Sequence, residues 1–145
     1  MIERLPALLL LAPGCVELTP TLVELDDVGE ACLGEAYVGT VDIADGQSAT
    51  VSVTLEGCAS ACATDVSASC TAELEGTTIR VEAAGAYTLP SGSPTCPPVC
   101  TVVMATCETV ALAAGTYTLA YAGDSGDFDV PGAVVELCVG ELYPE

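Results

Sequence analysis

Ala49, Val51, Val53 and Leu55 alternate with Thr50, Ser52, Thr54 and Glu56. A period of two predicts a half-buried strand with one wet face. Ala68, Cys70, Ala72 and Leu74 alternate in the same way with Ser69, Thr71, Glu73 and Glu75. Gly76 supplies a turn, and Ile79, Val81 and Ala83 continue on a return strand. The two runs predict a hairpin with Glu75-Gly76 as its loop, Arg80 lying diagonal to Glu73 on the solvent face. Residues 84 to 99 are rich in Pro, Ser, Gly and Cys and read as a long loop.

Strand patterning resumes around Cys107, from Thr101 to Leu112. Tyr117, Leu119 and Tyr121 then share one face of a strand opening at Gly115. Gly123 to Gly126 reads as a turn, Phe128 and Val130 as a short strand, and Pro131-Gly132 as its end. Val135, Leu137 and Val139 point one way, so Cys138 points the other. Leu22 to Leu33 is the one segment with a helical option, weakened by Gly29. Short strands punctuated by turns predict an all-β fold, an antiparallel β-sandwich. Gly85-Ala-Tyr-Thr-Leu89 and Gly115-Thr-Tyr-Thr-Leu119 echo each other without a wider repeat, so they read as recurring strand chemistry.

Composition changes this picture in two ways. The 145 residues suit one domain. They are 51% hydrophobic but only 4% aromatic, without Trp. The core is therefore built largely from Ala, Val, Leu and Cys, which gain less per residue on burial, and disulfides would offset that shortfall. The charge is the second change. It is −19, from 21 acids against Arg4 and Arg80, with neither Lys nor His. Such a surface repels phosphate backbones, which excludes nucleic acid as a partner, and it repels anionic membrane surfaces. A divalent cation or a cationic partner is the natural counterpart. Solubility, or screening in high salt, explains the charge equally well.

The N-terminus carries targeting information. Arg4 precedes the apolar run Leu5 to Ala12, too short to span a bilayer, and Gly14 stands before Cys15. Gly14-Cys15 resembles the lipobox of bacterial lipoproteins, with Ala12 at the position where that family has Leu. The resemblance implies a signal peptide over 1–14, cleavage before Cys15 and lipidation of Cys15. Several acyl chains on one residue would anchor the chain stably. Residues 15–34 then read as a lipidated N-terminal tether, and 35–145 as the disulfide-rich sandwich domain.

Apart from Cys15, the cysteines are Cys32, Cys58, Cys62, Cys70, Cys96, Cys100, Cys107 and Cys138. An even number in an exported chain predicts a disulfide framework. Zinc is disfavoured because two pairs are spaced by four and no His completes a site. Cys32–Cys138 would tie the chain ends, and Cys70 looks inward, with Cys107 as one partner across the sheets. Local closure of Cys58–Cys62 or of Cys96–Cys100 is open.

Leu112-Ala-Ala-Gly-Thr-Tyr117 resembles the tyrosine corner of immunoglobulin-like and related Greek-key sandwiches, in which a Tyr hydroxyl bonds back to upstream backbone. With the lipobox, the whole looks like small cysteine-rich lipoproteins of Gram-negative bacteria. That resemblance implies a cell-envelope location at the outer membrane, with a periplasmic or secreted protein as the other option.

Chemistry is sparse. Without His or Lys, neither a Ser-His-Asp triad nor a Ser-Lys pair can be assembled, so the chain reads as no enzyme and as having no resident cofactor. The sharpest metal candidate is Asp124, Asp127 and Asp129 beside a glycine turn, a set of oxygens suited to Ca²⁺. The expected function is a non-catalytic binding, adhesive or structural role, with a protein or glycan partner. The alternatives are a calcium-stabilised extracellular β module and a secreted carboxylate-dependent hydrolase. Contact regions are expected in the loops at 84–99 and 123–129.

Overall fold

A computed structural model describes residues 19–35, 39–92 and 94–142. They form an all-β, disulfide-stapled sandwich. In chain order the strands are β1 (Thr21–Asp26), β2 (Gly29–Leu33), β3 (Thr40–Ile43), β4 (Thr50–Ser60), β5 (Thr64–Glu75), β6 (Thr78–Leu89), β7 (Cys100–Glu108), β8 (Gly115–Tyr121), β9 (Asp124–Val130), β10 (Gly132–Val135) and β11 (Cys138–Glu141).

One sheet is built around the long strand β6. Strand β5 pairs with it as an antiparallel hairpin. Strands β1 and β8 share β6 end to end, β1 over residues 84–89 and β8, in parallel, over 78–80. Strand β9 closes the sheet as a hairpin with β8. The facing sheet has the order β11-β2-β4-β7, all antiparallel, and β10 with β3 forms a small third sheet. The β5–β6 and β8–β9 hairpins stay within one sheet; every other connection passes to a different sheet.

Alternation explains the core. Val51, Val53, Leu55, Val103 and Val139 of one sheet meet Ile79, Val81, Leu119, Tyr121 and Phe128 of the other in a single buried cluster. Most of these side chains are small, as the composition requires, and tyrosines supply the bulk. The predicted tyrosine corner is present: the Tyr117 hydroxyl donates to the Ala113 carbonyl at 2.9 Å. Its ring stacks on Phe128 at 5.9 Å between centroids. The echoed tyrosines, Tyr87 and Tyr117, both lie buried on strands.

The structure departs from the sequence reading in several places. Residues 21–33 are neither tether nor helix. Strand β1 pairs along β6, and β2 lies between β4 and β11, so the folded domain begins well before residue 35. Residues 84–89 continue β6, which shortens the long loop to 90–99. The hairpin loop is Gly76-Thr77, and Arg80 stands directly opposite Glu73. Its guanidinium pairs with Glu75 at 3.2 Å, in a water-exposed contact worth little. The outer face of β4 is not wet, because Ser52 and Thr54 are buried, and the Ser52 hydroxyl donates to the Gly34 carbonyl at 2.6 Å. Val135 is 69% exposed at the end of β10 and does not share a face with Val139. Residues 1–18, with Cys15 and the expected signal peptide, lie outside the described residues.

Candidate functional site

The cysteines form the first candidate constellation. All eight are consumed in four bridges: Cys32–Cys138, Cys58–Cys100, Cys62–Cys96 and Cys70–Cys107. Cys32 and Cys138 stand opposite each other on β2 and β11. Cys70 on β5 and Cys107 on β7 join the two main sheets along one edge. Neither local closure forms. The reason is register: β4 and β7 run antiparallel with Ser60 opposite Cys100, so the two four-residue spacings face each other and pair across. Cys58–Cys100 ties the ends of these strands. Cys62–Cys96 then pins the β4–β5 turn to the 90–99 loop. Bridges on this scale belong to an oxidising, extracytoplasmic compartment.

The acidic candidates do not converge. Asp124, Asp127 and Asp129 lie along strand β9, not on a loop. Asp127 accepts from the Thr118 hydroxyl at 2.7 Å and Asp129 from Thr116 at 2.6 Å, across the β8–β9 ladder. Asp124 caps two backbone amides instead, those of Ser125 at 2.8 Å and Gly140 at 3.1 Å. Three carboxylates strung along a strand do not gather their oxygens about one point, as six to eight Ca²⁺ ligands must. Among the described residues, the one close group of three metal-ligating types is Glu30 with Cys32 and Cys138, whose sulfurs are bonded to each other.

A hollow of about 410 Å³ lies in the notch on β6 between its partners β1 and β8. Asp27, Arg80, Glu82, Tyr121 and Asp124 line it. Its acids have structural tasks. Asp27 accepts from the Ala83 amide at 2.8 Å while its own amide donates to the Ala83 carbonyl at 2.9 Å. Asp124 makes the caps already described. The Tyr121 hydroxyl donates to the Val28 carbonyl at 2.7 Å. Burial pushes the Tyr121 phenol well up from its ordinary value, and the charges of Asp27 and then Asp26 add to that shift. Held protonated, it serves as a hydrogen-bond donor to the β1–β2 turn. Sequence reasoning missed this lock. The positive φ of Asp27, 46°, is the local feature that turns its carboxylate back onto β6.

Two further hollows lie elsewhere on the surface. One, of about 300 Å³ between the sheet ends, is lined by Leu25, Val28, Leu55 and Leu142 among others. The other, of about 350 Å³, flanks β3. Glu56 and Glu141 stand on the rim of the first, and Glu35 and Asp42 on that of the second. Among the described residues, no buried side-chain nitrogen or oxygen lacks a hydrogen-bond partner. No helix of the described residues is long and apolar enough to cross a membrane. No family model, no curated protein and no solved structure matches this chain.

Proposed function

We propose that this chain is a cell-envelope module with a non-catalytic binding, adhesive or structural role, held at the membrane by lipid on Cys15. The observation that carries the extracytoplasmic part is the closure of all eight domain cysteines into four bridges. The non-catalytic part draws its support from the hollow on β6, where Asp27 and Asp124 are engaged in holding backbone amides. The anchor draws its support from the Leu-rich run before Gly14-Cys15.

Intact mass of the mature protein from its native host tests the anchor. The expected species begins at Cys15, after loss of 14 residues (145 − 14 = 131 remain), and carries the added mass of a diacylglycerol and an acyl chain. A mature chain that begins elsewhere without added lipid would remove the anchor from the proposal. Alkylation of the exported protein without reductant should label none of the eight domain cysteines.

A further inference from the structure

The charge of this chain is unevenly spread. Of its acids, none falls in residues 83–107, a stretch of 107 − 83 + 1 = 25 residues with no charged side chain, nor in 57–64. The fold brings these two neutral stretches together. Residues 57–64 are the end of β4 and its turn into β5, and 90–99 is the loop entering β7. Cys58–Cys100 and Cys62–Cys96 bolt one onto the other.

The same end of the sandwich carries much of the exposed apolar surface. Val99 is 63% exposed at the mouth of β7. Val102 and Met104 follow on the outward face of that strand, with Val103 buried between them. Val66 is exposed on β5, which packs against β7. Val66 precedes Cys70 by four residues, as Val103 precedes its partner Cys107, so Val66 stands level with the Val102 to Met104 segment. Pro94, Pro97 and Pro98 are exposed on the loop itself.

We infer that this disulfide-bolted tip is a docking surface for a protein whose apolar contact patch is ringed by Lys and Arg. The inference rests on the binding-module reading above and names its surface and partner. The apolar tip supplies the contact area, and the acids beside it, Glu56 and Asp65, with the wider −19 field, supply the complement to a basic ring. A second copy of this chain brings the same negative field and is repelled, as is an anionic bilayer. Two bridges and three prolines fix the tip before contact, which cuts the ordering cost of association.

The test uses the whole oxidised domain and an amphipathic peptide of alternating Leu and Lys as probe. Backbone amide NMR shifts on titration should concentrate in 57–66 and 94–104. Val99→Asp and Val102→Asp, at exposed positions, should each weaken binding about tenfold. Each adds a negative charge, which by electrostatics alone would strengthen binding to a cationic peptide, so the sign separates apolar docking from charge attraction. Val110→Asp, at a 58% exposed site beyond the opposite end of β7, adds the same charge away from the tip and should not weaken it. Binding should persist at about 1 M salt, where the screening length is about 3 Å. Shifts spread over the acidic faces and abolished by salt would overturn the docking surface while leaving a binding role elsewhere on the module. No binding of the peptide at all would overturn both. Dimerisation through the tip, or insertion of the tip into vesicles of neutral phosphatidylcholine, would overturn the choice of partner.

Discussion

The Tyr121 hydroxyl donates to the Val28 carbonyl at 2.7 Å, across 93 residues of sequence. This bond ties the end of β8 to the turn between β1 and β2, and so links the two main sheets at one end of the sandwich. Tyr121→Phe removes it and leaves the Val28 carbonyl without that donor. The expected loss is about 1–3 kcal/mol, read from urea denaturation.

The same phenol gives the protein an alkaline limit. Its folded pKa is raised above the unfolded value of about 10. The folded state therefore holds its proton over a range in which the unfolded state has released it, and stability falls as pH rises above about 10. Below that pH the contribution is fully present. Tyr121→Phe should flatten this part of the stability–pH curve, and an unchanged slope would show that another group sets the alkaline limit.

Gly29 and Gly140 meet where β2 and β11 pair. Both have positive φ, 82° and 91°, and a Cβ on Gly29 would collide with the Thr54 carbonyl oxygen. Both the backbone angle and the space reject a side chain, and the obstacle is main chain that cannot swing away. Gly29→Ala should cost at least about 1–3 kcal/mol, seen as a lowered midpoint in thermal unfolding.

Asp124 separates a structural carboxylate from a metal ligand. Asp124→Asn should lower the melting temperature by weakening the cap on the Gly140 amide. The size of that drop should be the same with millimolar Ca²⁺ and with chelator. A melting temperature that rises with calcium in the parent and not in the variant would reinstate the calcium-stabilised reading.

Removal of Cys32–Cys138, by changing both residues to Ser, should be the most costly single loss of a bridge. It closes the longest loop, 106 residues, and chain entropy assigns about 4.7 kcal/mol to a loop of about 100. Cys62–Cys96 closes only 34 and should cost less.

The alternating runs were legible because each has one buried face. Ile79 to Ala83 and Tyr117 to Tyr121 lie as their period of two predicts, and Val51, Val53 and Leu55 face the core as expected although Ser52 and Thr54 are buried as well. Strands β1 and β2 were not: no residue of β1 is fully buried, the buried face of β2 is only Gly29, Ala31 and Leu33, and Leu22, Leu25 and Val28 repeat every three residues like a helix stripe. The acidic run at 124–129 read as a turn because of Gly126. That glycine answers to packing: a Cβ there would sit 2.6 Å from a Leu137 methyl, a contact from the connection between β10 and β11 that no local pattern announces. Two bridge partners were legible: Cys32–Cys138 as a tie between distant ends of the sequence, and Cys70–Cys107 from the inward face of Cys70. The crossed pairing at the tip depends on the β4–β7 register, which includes two bulges that the sequence does not mark.

The sheet order β11-β2-β4-β7 places Cys138 beside Cys32, which precedes it by 106 residues. In synthesis the partner of Cys32 therefore comes only after all the strands from β3 to β10. A prematurely terminated product could close its other three bridges and still display one reactive thiol. The bond between β2 and β11 thus reports that everything between them was made, and a free Cys32 thiol marks a copy in which it was not.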